Sequence, residues 1–253
     1  MDLRRPVPLW ALLLAILVSG SIAAVLVYLP RPLGPDFNLT LSSNPVFEQP
    51  NHRNSSIVKV ESVRGFVGVV TFGIISPSGL STALTQGSDY YSGGGNQLIL
   101  ESVGNLTLHT TATAAADYSV RIVATGGPAS HYVDLVVRVQ ALAMTANTTS
   151  LTIARGSSGT IAVSLKDLNG LSGNASLSGD ACLPYHPYMC STDTYVTMRF
   201  APSNVILQPG GSATIILTVT VSNSDTPMGD YLPVYAVINS WWFGLPLIHL
   251  TIV

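Results

Sequence analysis

Ala213-Thr214-Ile215-Ile216-Leu217-Thr218-Val219-Thr220-Val221 sets Ile215, Leu217, Val219 and Val221 on one parity and mostly threonine on the other. A helix would scatter that alternation around its axis, whereas a strand sends successive side chains to opposite faces. β-branched residues dominate the run and suit a pleated, half-buried surface. The stretch reads as a sandwich strand with aliphatics inward and threonines toward solvent.

The same signature recurs outward along the chain, each run bounded by Gly, Pro, Asn and Ser clusters. A first series spans 56–60, 67–75, 97–101, 106–112, 118–124 and 133–139. A second spans 151–153, 160–165, 196–200, 205–207, 213–221, 231–238 and 247–253. Beyond residue 33 no stretch holds helical periodicity over the roughly 10–12 residues a helix assignment needs. The two series are one series repeated. Gly65-Phe66-Val67-Gly68 matches Gly170-Leu171-Ser172-Gly173, and Asn96-Gln97-Leu98-Ile99-Leu100 matches Asn204-Val205-Ile206-Leu207. Asp117-Tyr118 and Asp230-Tyr231 each open a strand, and the runs ending at Val139 and Val253 close the units. The period, about 105–110 residues, is too long for a solenoid and suits tandem sandwiches. The expected fold is all-β: two Ig-like antiparallel sandwiches, 34–140 and 141–253, stacked with almost no linker after an N-terminal segment, 1–33.

The Gly-Phe/Leu-x-Gly step, the Gly210-Gly211-Ser212-Ala213-Thr214 hairpin and Gly229-Asp230-Tyr231 carry a resemblance. This order of elements resembles the Ig-like repeats of prokaryotic surface proteins related to the NEW3 and archaeal S-layer-associated domains. The first unit departs from it, with Ala114-Ala115-Ala116 where the second has Pro227-Met228-Gly229. The resemblance implies spacer or adhesive modules. Fold analogy alone licenses no chemistry.

The N-terminal segment sets the compartment. Arg4 and Arg5 precede an uncharged run over 9–29, closed by Pro30-Arg31-Pro32. As a helix that run spans roughly 31 Å, the hydrocarbon thickness of a bilayer. The flanking arginines favour a cytoplasmic N-terminus, which puts the sandwiches outside the cell. A cleaved signal ending at Ser21-Ile22-Ala23 is the rival reading, but it would leave Ala24–Leu29 as an apolar, unanchored N-terminus. Both readings export the chain.

Composition points the same way. Charged residues make up 9% of the chain, against about 25% in typical soluble domains. Lys59 and Lys166 are the only lysines and the net charge is −2, so the clustered cations that nucleic acid requires are missing. Five Asn-X-Ser/Thr sequons, at Asn38, Asn54, Asn105, Asn147 and Asn174, are candidate glycan acceptors.

Candidates for chemistry are few. Cys182 and Cys190 flank Leu183-Pro184-Tyr185-His186-Pro187-Tyr188-Met189, an insertion peculiar to the second unit. In an exported chain they read first as a disulfide closing that loop. Copper held by Cys182, His186 and Met189 needs a second histidine, His131 or His249, brought close by another strand. Unpaired or intermolecular thiols are the third possibility. Trp241-Trp242-Phe243 is placed in the turn between the last two strands; either the tryptophans begin the last strand, one packing inward and one covering the sandwich end, or the triplet is exposed as a sugar-stacking, membrane-dipping or protein-contacting tip. Tyr90-Tyr91 beside Ser92-Gly93-Gly94-Gly95 is a weaker case of the same kind. His52, His109, His131 and His249 are scattered, and Asp117 and Asp230 read as turn-forming repeat features rather than calcium ligands. No nucleophile elbow, zinc-protease helix or P-loop occurs, and no carboxylate pair stands out. Expected, then, is a non-enzymatic surface protein without cofactor or metal. Its partners would be the membrane and a cell-surface protein or glycan, with carbohydrate binding through Trp241–Phe243 as the runner-up and copper binding a distant third.

Overall fold

The computed structural model describes residues 34–86, 96–182, 193–224 and 229–253. The run over 9–29, the Tyr90-Tyr91 segment, His186, Met189 and Cys190 lie outside the described residues. Among the described residues the chain forms strands, and no helix is long and apolar enough to cross a membrane.

The first half holds β1 (Asp36–Leu41), β2 (Val46–Glu48), β3 (Arg53–Val63), β4 (Gly68–Ile75) and β5 (Leu80–Gln86). After these come β6 (Gln97–Leu100), β7 (Val103–Ala112), β8 (Asp117–Gly126) and β9 (Ala129–Val139). One sheet runs β1-β3-β7-β5 and the other β2-β9-β8-β4-β6. All neighbours are antiparallel except β2, which runs parallel to β9. Phe37, Val58, Leu106, Leu108, Ile122 and Leu135 are among the side chains buried between the sheets.

The second half repeats the plan. It comprises β10 (Ala141–Ala146), β11 (Ser150–Ile153), β12 (Ser158–Leu168), β13 (Gly173–Gly179), β14 (Val196–Ala201) and β15 (Asn204–Leu207). It ends with β16 (Ser212–Val221), β17 (Gly229–Leu232), β18 (Val234–Ile238), β19 (Trp241–Gly244) and β20 (Ile248–Ile252). The sheet β10-β12-β16-β14 reproduces β1-β3-β7-β5 strand for strand. In β16, Ile215, Leu217, Val219 and Val221 are buried while Thr214 and Thr220 face solvent; Ile216 also faces out.

The opposite sheet is where the repeats diverge. β8 and β9 form one uninterrupted hairpin, Asp117↔Arg138 through Gly126↔Ala129. Their counterparts are each broken once. Pro233 has no N–H to donate and separates β17 from β18; Leu245-Pro246-Leu247 separates β19 from β20. Thus β11-β20-β17 and β15-β13-β18-β19 together retrace β2-β9-β8-β4-β6. The Leu245 N–H donates to the Val234 carbonyl at 2.9 Å and ties the two pieces together across the break.

Both units use one turn to receive the incoming chain. Arg64-Gly65 and Asn169-Gly170 have positive φ, 53°, 75°, 67° and 82° respectively. Phe66 and Leu171, which follow, are buried. The Arg64 Nε donates to the Gly34 carbonyl at 2.9 Å, and the Asn169 Nδ2 to the Val139 carbonyl at 3.0 Å. Each carbonyl lies two residues before its unit's first strand.

Candidate functional site

Gln140 alone separates β9 from β10, and it is held on both sides. Its N–H donates to the Glu48 carbonyl at 2.9 Å, and its Nε2 donates to the Gly170 carbonyl at 2.8 Å. Asn169 also donates to Asp117 Oδ1 at 2.7 Å, while Arg138 grips Asp117 from the neighbouring strand at 3.0 Å. These contacts hold Asp117 below the ordinary carboxylate range, Arg138 being the larger influence.

Beside this junction opens a cleft of about 470 Å³. The first unit supplies Phe47 and Glu48 from β2, Gln49 and His52 from the following turn, and Arg53 and Asn54 from β3. The second supplies Ser240, Trp241 and Trp242. A neighbouring cleft of about 420 Å³ shares Phe47 and Trp241 and reaches Arg138, Gln140 and Asn239.

The aromatic triplet lies in strand β19 rather than in the turn, which corrects its placement and agrees with the alternative in which the tryptophans open a strand with one packed inward. Asn239 and Ser240, at φ 52° and 66°, form the two-residue loop, and Ile238↔Trp241, Val237↔Trp242 and Ala236↔Phe243 pair across it. Two positive φ values are what a type I′ hairpin demands. Strand alternation then divides the triplet: Trp241 and Phe243 pack against the second core, while Trp242 is 66% exposed. Trp242 meets Tyr235 edge-on, ring centroids 6.2 Å apart. Phe47 is likewise 43% exposed, with the Arg138 guanidinium 6.0 Å from its ring.

Under this aromatic rim lie residues the sequence did not flag. Glu48 is 2% exposed and Gln49 8%. Thr110 Oγ1 donates to Glu48 Oε2 at 2.8 Å, and the Ala112 N–H also bonds the carboxylate. Burial outweighs both and pushes the carboxyl above its ordinary range. Glu48 Oε1 and Gln49 Nε2 are buried and make no hydrogen bond among the described residues. Their position was invisible because a three-residue strand carries no periodicity to read.

The remaining candidates are dispersed. Cys182 bridges Tyr231 through paired backbone hydrogen bonds of 2.8 and 2.9 Å. His249 meets Tyr231 edge to face, centroids 4.8 Å apart, and His131 bonds Asp36 at 2.6 Å in the other unit. Among the described residues no group of three or more His, Cys, Asp or Glu side chains is placed to hold a metal. All five sequon asparagines are exposed. Asn38, Asn54 and Asn105 lie on one sheet, in β1, β3 and β7, and Asn174 lies in β13.

No family model and no curated protein sequence matches the chain. Among solved structures, the D00-D0 domain of intimin is similar at 11% identity and TM-score 0.43, over 85% of this chain and 99% of that one. The C-terminal domain of the Streptococcus agalactiae AgI/II polypeptide BspA is similar at 8% identity and TM-score 0.36, over 86% and 100%. Domains 4 and 5 of the S-layer protein SbsC are similar at 13% identity and TM-score 0.32, over 73% and 76%.

Proposed function

We propose that this chain is a structural or adhesive component of a cell surface, with residues 9–29 as its membrane anchor and two Ig-like units standing outside. The units meet near Gln140, and the second carries a disulfide between Cys182 and Cys190. Asn38, Asn54, Asn105, Asn147 and Asn174 are its glycan acceptors. The narrower kinship with NEW3 and archaeal S-layer-associated domains belongs to the same proposal and rests on the Gly-Phe/Leu-x-Gly step.

The observation that carries the reading is the junction. One residue joins two separately cored sandwiches, and side chains from both units clamp it. Such a joint suits a stiff spacer, since a flexible linker would let the units swing freely. The test is protease shaving of intact cells followed by peptide mapping. Release of peptides from 34–253 with retention of residues 1–33 supports the reading, and full protection of 34–253 refutes it. A second reading, carbohydrate binding, is favoured by the outward Trp242.

A further inference from the structure

The junction cleft combines features that separately mean little. Trp242 and Phe47 come from different units, and each leaves aromatic surface open at the rim of one cleft. Both are costly to expose unless something covers them. Planar hydrogen-bonding groups surround them: the Gln49 amide, the His52 imidazole and the Arg53 guanidinium. Behind the lining, Glu48 Oε1 and Gln49 Nε2 are buried and make no hydrogen bond among the described residues. Buried polar atoms of that kind call for an explanation. The cleft volume, about 470 Å³, lies within the roughly 300–1,000 Å³ of small-molecule sites.

We propose that this cleft is a pyranose-binding site, with a sugar ring stacked on Trp242 or Phe47 and its hydroxyls held by Gln49, His52 and Arg53. A pyranose matches the lining because its C–H face is apolar and its rim presents neighbouring hydroxyls that both donate and accept. An aromatic face takes the first, and planar amide or guanidinium groups take the second. A buried carboxylate beside Arg53 and His52 suits a neutral ring better than a polyanion.

The sugar has two sources. One is a free glycan. The other is the chain's own Asn54, which begins the sequon Asn54-Ser55-Ser56 and borders the cleft. Its Nδ2 donates to the Phe47 carbonyl at 2.6 Å. A glycosylated amide keeps one N–H, so a glycan on Asn54 starts at the cleft rim with one donor left for the Phe47 carbonyl.

The inference rests on the extracellular reading, yet its test does not depend on location. Full-length protein from source cells, in a sugar-free detergent, is mapped for glycan at Asn54. Where Asn54 is modified, N54Q must shift the tryptophan emission to the red and increase its quenching by acrylamide. Where Asn54 is bare, cellobiose, maltose, mannobiose and N,N′-diacetylchitobiose are titrated by fluorescence and saturation-transfer NMR. At least one must bind, W242A or F47A must weaken it by roughly tenfold or more, and I206A, on an exposed residue of another strand, must leave it unchanged. Tryptophan emission indifferent to the Asn54 glycan overturns the proposal. So does a bare Asn54 with no binding, or binding that survives W242A and F47A. Shaving of intact cells reports separately on the surface reading.

Discussion

Asp167 should be the most sensitive polar residue of the second unit. It is 3% exposed at the end of β12, and its carboxylate accepts three backbone N–H groups. Leu171 donates to Oδ1 at 2.6 Å, while Gly170 and Gly210 donate to Oδ2 at 3.1 and 2.5 Å. One side chain thereby joins the β12–β13 turn to the β15–β16 turn. In Asp167→Ala the Leu171 N–H stays buried without an acceptor, costing about 2–3 kcal/mol; the two glycine N–H groups are partly exposed, recover water and cost about 1 kcal/mol or less each. The sum is about 2–5 kcal/mol, a large share of the ~5–15 kcal/mol that holds a domain together. For a unit of this size that lowers the melting midpoint by about 8–20 °C. Ser62, at the same place in the first unit, is the internal control. Its hydroxyl donates one hydrogen bond, 2.8 Å to the Phe66 carbonyl, so Ser62→Ala should cost only about 0.5–1.5 kcal/mol. Scanning calorimetry of the full-length protein reads both variants. A shift for Asp167→Ala below about 4 °C, or no larger than that of Ser62→Ala, would refute the reasoning.

Three further outcomes follow from the same geometry. Glu48 has a folded-state pKa above its ordinary value of 4.5, so its stabilising contribution is present below that pH and lost as pH rises through the raised value. Glu48→Gln should flatten that decline and leave acid stability unchanged; melting curves between pH 3.5 and 8 check it, and parallel wild-type and variant profiles would contradict it. Asn169→Ala removes its own two side-chain bonds across the junction, so distances between spin labels on the two units should broaden while each unit's midpoint moves by less than about 4 °C, a cost of about 1 kcal/mol. A Cβ at Gly179 would lie 2.6 Å from the Pro233 carbonyl oxygen and 3.0 Å from Met198 Cε. Gly179→Ala should therefore cost the second unit about 1–3 kcal/mol and leave the first transition in place, as calorimetry would show.

Much of the fold was legible because sandwich strands write their burial into the chain. β16 alternates as its sequence demands, and the repeated Gly-Phe/Leu-x-Gly step marks the same positive-φ turn in both units. Other strands left weaker traces. β5 reads Leu-Ser-Thr-Ala-Leu-Thr-Gln and buries Leu84 and Thr85 consecutively, so its alternation fails. β13 carries only Ala175 and Leu177 as buried apolar residues between glycines and serines. The hairpin loop was missed because Asn239-Ser240 lacks the glycine that announces a type I′ turn. That omission placed three aromatics in a turn. Once they alternate in a strand, Trp242 has to face outward and its neighbours inward.

The divergence between the repeats marks residues that the shared sandwich plan does not itself require. A continuous β8–β9 hairpin is sufficient to close the first sandwich, so the breaks at Pro233 and at Leu245-Pro246-Leu247 are not required by the fold. What the breaks do is release β18 and β19 from β17 and β20 as a separate short hairpin, whose loop end borders the first unit. Proline accomplishes this cheaply, because a strand that lacks one N–H cannot continue its ladder unbroken. The three adjacent aromatics and the Cys182 loop also lack counterparts in the first unit. Residues shared by both repeats serve the sandwich. Those confined to the second converge on the junction and on the loop beyond β13, and a substitution there that leaves both melting transitions intact is the one to examine for lost function.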